Sequence, residues 1–131
     1  MRPLFLIDYA LEALTHAYAP YSNFSVGAAL LAKNGHIYTG CNIENTAFSP
    51  SVCAERVAFY KAISEGVMDF EAIAIVGRGP DGFKHYCYPC GVCRQVMAEF
   101  CTPDFKIYLS DDRRQFETYT LAELLPHQFD L

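Results

Sequence analysis

At 131 residues, 52% hydrophobic and 19% charged, the chain is sized and composed for one compact core, and its eight glycines and seven prolines exclude a fibrous repeat. The apolar runs fall far short of the roughly 20 residues that cross a bilayer, which excludes a transmembrane helix. A formal net charge of −5 argues against a nucleic-acid partner, since cationic side chains supply most affinity for phosphates. A small neutral ligand fits this balance better, with no membrane partner expected.

The opening Met1-Arg2-Pro3-Leu4-Phe5-Leu6-Ile7-Asp8 starts like a secretion signal but reaches Asp8 after four apolar residues and lacks a small-residue cleavage site. It reads as mature sequence of a cytoplasmic protein. Over residues 4–17, Leu4, Ile7, Leu11 and Leu14 recur at spacings of three and four, with Asp8 and Glu12 opposite, which predicts an amphipathic helix. Ala17 to Ser22, with Pro20, breaks it. Strands are then expected over Phe24 to Lys33 and His36 to Cys41, joined through Asn34-Gly35 by a type I′ turn.

Asn42 to Val52 is polar and irregular. Cys53 to Glu65 has helical spacing and stops at Gly66, and Ala72 to Val76 suits a buried strand. A loop from Gly77 to Pro89 leads to a helix at about Cys90 to Phe100 and a strand from Phe105 to Ser110, a pattern implying a parallel crossover. A turn at Asp111-Asp112-Arg113-Arg114, a short strand at Phe116 to Tyr119 and a capping box from Thr120 to Glu123 close the chain. The expected architecture is a single domain, residues 1–131, built as a three-layer α/β/α sandwich around a mixed sheet of about five strands.

The chemistry lies in two segments, Cys53-Ala54-Glu55-Arg56 and Pro89-Cys90-Gly91-Val92-Cys93-Arg94-Gln95, each at the start of a predicted helix. A helix N-terminus favours the thiolate that binds metal. Cys90 and Cys93, one turn apart, can converge on one ion with Cys53, and three protein ligands on tetrahedral Zn²⁺ leave a fourth position for water. Glu55 is offset from the ligand set and can serve as the proton carrier. Three thiolates and Zn²⁺ sum to −1, so a cation should compensate; Arg56 is the natural donor to the sulfurs, with Gln95 holding its guanidinium and Arg94 a second choice.

These elements resemble the zinc nucleobase deaminases, whose His-or-Cys, x, Glu and Pro-Cys-x-x-Cys elements occur here in all-cysteine form. The chain more narrowly resembles the short cytidine deaminases of pyrimidine salvage, through residues 21–30, 40–45, 53–56 and 89–95 and the tail 121–129. The resemblance implies one zinc per chain on Cys53, Cys90 and Cys93, with Glu55 moving protons in hydrolytic deamination of cytidine and deoxycytidine. It further implies that Asn42 and Glu44 bind sugar hydroxyls, that Phe24 packs on the pyrimidine, and that backbone groups around Ala54 and Cys90 meet the base edge. Phe129 would reach a neighbouring subunit's site in a homotetramer.

Other readings stand beside these. Cys87 could close a structural Cys₄ zinc site without enzymatic activity, and the cysteine triplet resembles a ferredoxin run in which Met97-Ala98 replaces the expected Cys-Pro. The substrate could be another small aminopyrimidine nucleoside. Phe24, Phe48 and Phe129 could be core or interface aromatics, and Asn42 and Glu44 loop caps. His16, His36, His85 and His127 show no ligand spacing and read as surface or packing residues. The sequon at Asn23-Phe24-Ser25 reads as a chance tripeptide.

Overall fold

The computed structural model describes residues 2–82, 86–112 and 115–131, so His85, Arg113 and Arg114 lie outside the described residues. The elements, in chain order, are α1 (Pro3–Leu14), β1 (Ser25–Ala32), β2 (Ile37–Cys41), α2 (Ala54–Ser64), β3 (Phe70–Arg78), α3 (Gly91–Phe100), β4 (Lys106–Ser110), β5 (Phe116–Thr120) and α4 (Leu121–Leu124). They build one five-stranded sheet ordered β2-β1-β3-β4-β5. Pairing is antiparallel throughout except for β3 with β4, which run parallel across α3.

The central strands are buried on both faces, so β1 and β3 are near-continuous apolar runs. Alternation then sorts their side chains between two cores. Ala29, Leu31, Ala72, Ala74 and Val76 face Leu6, Ile7, Ala10 and Leu14 of α1. Ala28, Leu30, Ile73 and Ile75 face the opposite layer, where Ala54, Ala58 and Phe59 of α2 pack with Met97 of α3 and Leu121 of α4. The result is the expected three-layer α/β/α sandwich on a mixed sheet.

Two local expectations need correction. Helix α1 ends at Leu14 rather than Ala17, because Leu14 is its last buried residue; beyond it Thr15, His16 and Ala17 donate only to carbonyls three residues back, a tightened last turn. The β1–β2 turn is not type I′, which needs positive φ at both central residues: Gly35 alone has it, at 91°. The Gly35 N–H donates to the Ala32 carbonyl across Lys33 and Asn34, and the Asn34 side chain accepts from the His36 N–H. This is a type I turn followed by a left-handed residue, the three-residue hairpin solution. The Thr120 and Glu123 capping box forms in full at the start of α4.

Gly40 of β2 sets how closely α2 lies on the sheet. A Cβ at Gly40 would fall 2.2 Å from the Ala54 carbonyl oxygen and 2.7 Å from the Ala58 nitrogen. Both are backbone atoms of the helix, so the whole of α2 would have to move. Gly40→Ala is expected to lower stability by about 1–3 kcal/mol. The check is a lower urea midpoint at unchanged slope; an unchanged midpoint would mean that α2 can back away freely.

Candidate active site

Cys53 is the N-cap residue of α2 and Cys90 that of α3, both with extended backbone, and neither thiol caps its own helix. Both sulfurs are therefore left free at positive helix ends. Cys93, one turn into α3, is buried and completes the group. The Cys53 and Cys90 sulfurs lie 3.8 Å apart, those of Cys90 and Cys93 3.5 Å, and all three Sγ atoms are within 4.8 Å of one another. A tetrahedral site with Zn–S bonds of about 2.3 Å separates its sulfurs by roughly 3.8 Å, so the donor set fits one zinc ion. Among the described residues this is the one cluster of three or more such donors, and Cys87 is outside it.

The thiols are not equivalent. Hydrogen bonding from Cys93 and from Arg56 pulls the Cys53 thiol down to about 5 against the opposition of burial, making it a thiolate. The Cys93 thiol, bonded to Cys53 and buried, is pushed up. Burial drives Cys87 up to about 12, so it stays a neutral thiol. The Arg56 guanidinium donates from Nη2 to Cys53 Sγ at 3.3 Å, while its buried Nε has no partner among the described residues. Gln95 does not hold that guanidinium: its amide donates to the Phe129 carbonyl at 3.2 Å. Arg94 is likewise engaged elsewhere, donating to the carbonyls of Pro89 at 2.7 Å and Leu124 at 2.6 Å.

Glu55, in the first turn of α2, is only 3% exposed. Burial pushes its carboxyl up to about 7 even though its own backbone N–H holds the charged form, and the Cys53 thiolate pushes in the same direction. A carboxyl poised near neutrality can both take and give a proton. It lines a cavity of about 440 Å³ together with Cys53, Arg56, Cys90, Asn42 and Glu44, within the size range of small-molecule sites.

Asn42 and Glu44 each serve the backbone as well as the cavity. The Asn42 side chain accepts from the Val26 N–H at 2.9 Å and donates to the Phe24 carbonyl at 2.8 Å, pinning the end of β2 to the start of β1. Glu44 accepts from the backbone N–H groups of Tyr21 and Ser22 at 2.9 and 3.1 Å and from the Ser22 hydroxyl, bonds that keep it ionised. Ala54 is fully buried at the first helical position of α2, where its N–H has no acceptor within the helix. The Phe24 ring lies against Gly77 and Gly79, outside the residues that line the cavity. Phe129 is 68% exposed.

Five lining residues went unnoticed as such in the sequence: Val26, Ser51, Val52, Cys87 and Tyr88. Position next to Pro89-Cys90 was the available signal for the last two. Of the histidines, His16 meets Glu12 at the surface at 3.3 Å, and His36 and His127 are exposed.

A buried carboxyl beside three convergent thiols in an open cavity defines a zinc-dependent hydrolase site. Residues 3–109 match the family described as "Cytidine and deoxycytidylate deaminase zinc-binding region". A cytidine deaminase of Sporosarcina psychrophila is 51% identical over 126 residues, covering 95% of this chain and 88% of that protein. A blasticidin-S deaminase of Bacillus cereus is 32% identical over 129 residues, covering 95% and 89%. The crystal structure of a Burkholderia pseudomallei cytidine deaminase superposes with a TM-score of 0.89 at 40% identity, covering 98% of this chain and all of that one. The chain belongs to the cytidine and deoxycytidylate deaminase zinc-binding family.

Cys90→Ala is expected to lose the metal, because two remaining thiols cannot hold a tetrahedral ion, whereas Cys87→Ser should keep it. Elemental analysis of the purified variants reads both; zinc lost from Cys87→Ser would make Cys87 a ligand and restore the closed structural site.

Proposed function

We propose that this protein hydrolyses cytidine and 2′-deoxycytidine at C4, giving uridine or 2′-deoxyuridine and ammonia. The observation that carries the reading is the buried Glu55 carboxyl, raised towards neutrality in the same cavity as the free face of the cysteine triad. Cys53, Cys90 and Cys93 would hold zinc, which supplies Lewis-acid activation of water at neutral pH. Glu55 takes a proton from the attacking water, delivers it to the ring nitrogen next to C4, and then passes a proton to the departing amine. The proton count closes, since water contributes one hydroxyl to the product and one hydrogen to ammonia. Arg56 keeps positive charge against the Cys53 sulfur and so limits the electron density of the thiolate group.

Asn42 and Glu44 bind the sugar. Their backbone bonds leave the second amide hydrogen of Asn42 and carboxylate lone pairs of Glu44 for hydroxyl groups. Backbone groups at Ala54 and Cys90 face the base edge, with Phe24 near the ring. The 32% identical blasticidin-S deaminase supports a second reading, in which an aminopyrimidine nucleoside other than cytidine is the preferred substrate.

The protein acts as a single domain, supported by the one sheet that all five strands share. It assembles as a homotetramer with Phe129 reaching a neighbouring site. Exposed Phe5, Tyr9, Phe48, Tyr60 and Phe129 support this, since large aromatics left in water mark contact surfaces. Six free cysteines suit the reducing cytoplasm. No described helix is long and apolar enough to cross a membrane.

One absorbance assay tests the reaction. The zinc-loaded protein should deaminate cytidine and deoxycytidine and turn over free cytosine very poorly, because the hydroxyl-binding groups are then left unpaired. Glu55→Gln should retain zinc and lose at least about 10²-fold in kcat. Turnover of cytosine equal to that of cytidine would refute the sugar-binding role, and zinc lost from Glu55→Gln would make the carboxylate a ligand. Sedimentation checks the assembly: a fully active monomer would overturn the tetramer and the shared site.

A further inference from the structure

The residues lining the cavity include two aromatic ones, Phe48 and Tyr88. Phe48 is 92% exposed, so it offers an unbraced ring. Tyr88 is half exposed but braced from behind. Its hydroxyl donates to Glu117 Oε1 at 3.3 Å, and its ring meets Tyr119 edge-on at 6.0 Å and 60°. The Tyr119 hydroxyl donates to the same Glu117 oxygen at 2.8 Å, so one carboxylate oxygen gathers both phenols. Glu117 and Tyr119 stand two residues apart on the edge strand β5 and therefore share a face.

The backbone on either side of Tyr88 is also held. Before it, Cys87 packs against Gly77, where an added Cβ would come within 2.8 Å of the Cys87 Cβ. After it, the Pro89 carbonyl accepts from Arg94 Nε at 2.7 Å, and Cys90 follows at once. With its hydroxyl hydrogen directed at Glu117, the phenol keeps acceptor lone pairs on its oxygen for whatever enters.

We propose that Tyr88 is the aromatic wall of the cavity and a specificity-determining contact for the flat ring of the substrate, and that Glu117 on β5 is its positioning residue. The inference rests on the nucleoside reading above. A wall of this kind favours planar heterocycles through stacking, which every base can provide. Glu117, in this scheme, never touches substrate; it fixes the angle of a ring that an exposed rim would otherwise leave free to rotate.

The experiment is steady-state deamination of cytidine by the zinc-loaded enzyme, with kcat and KM separated and zinc content measured for every variant. Calorimetric binding of uridine to the same proteins gives a readout independent of turnover. Tyr88→Ala should raise KM and weaken uridine binding at least about fivefold, the low end for base–aromatic stacking, with a smaller effect on kcat. Glu117→Ala and Tyr88→Phe should each give a lesser rise, and Glu117→Ala should add nothing in the Tyr88→Phe background, since the bond through which Glu117 acts on the Tyr88 ring is already gone there. Glu117→Gln, which keeps an acceptor oxygen, should restore most of the affinity.

Unchanged KM and uridine affinity in Tyr88→Ala would overturn the inference while leaving the deaminase reading intact. Additive effects of Glu117→Ala and Tyr88→Phe would overturn the positioning role. Should Tyr88→Ala shed zinc, the cycle between Glu117→Ala and Tyr88→Phe decides the matter. A wild-type enzyme inactive on cytidine would overturn the function and this inference together.

Discussion

The site depends on two helices beginning at one point. α2 and α3 lie on the same face of the sheet, and each starts with a cysteine whose backbone is extended and whose thiol caps nothing. Bringing two positive helix ends together is unfavourable unless negative charge gathers between them, and thiolate sulfur supplies it. The same convergence settles the neighbours: Cys93 falls one turn along α3, Glu55 turns inward from the first turn of α2, and Arg56 reaches back to Cys53. Gly40 is part of this constraint, because only a residue without a side chain lets α2 sit deep enough for Cys53 to meet Cys90.

Burial and charge then divide the labour among groups that are chemically similar. Glu55 and Glu44 are both carboxylates lining one cavity, yet they are tuned in opposite directions. Loss of water pushes Glu55 up to about 7, whereas Glu44, at the surface, is held ionised by the Ser22 hydroxyl and two backbone N–H groups. One is suited to moving protons and the other to accepting fixed hydrogen bonds. The cysteines separate in the same manner. Cys53 is a thiolate under the influence of Cys93 and Arg56, and buried Cys87 stays neutral at the wall. Asn42 and Glu44 brace the backbone and line the cavity at once, so the segment that carries them is tied to Phe24, Val26, Tyr21 and Ser22 by the same side chains that face the ligand space.

The layers, the sheet and the cysteine pair of segments were legible in the sequence because each rests on local chemistry. Apolar spacing of three and four marks a face of α1, unbroken apolar runs mark β1 and β3 as buried on both sides, and cysteines at two helix starts mark a metal site. Local chemistry also misled at two ends. Asn34-Gly35 suggested a two-residue turn, but the hairpin places Lys33 and Asn34 at its centre and leaves Gly35 alone in the left-handed region. The reading of α1 ran on to Ala17, past Leu14, the last residue that the helix buries.

What the sequence determined by itself is the inventory of chemistry and the period of each element, since residue type and spacing are properties of short segments. What only the tertiary structure decided is which distant groups share a partner. Gln95 was a reasonable support for Arg56 because it belongs to the second cysteine segment, yet its amide meets the carbonyl of Phe129. The position of Tyr88 beside Pro89-Cys90 hinted at the site, but its partners appear only where β5 brings Glu117 and Tyr119 behind it. The reason is physical: a hydrogen bond or a ring contact depends on separation in space, and only the packing of helices and strands on the sheet converts sequence distance into that separation.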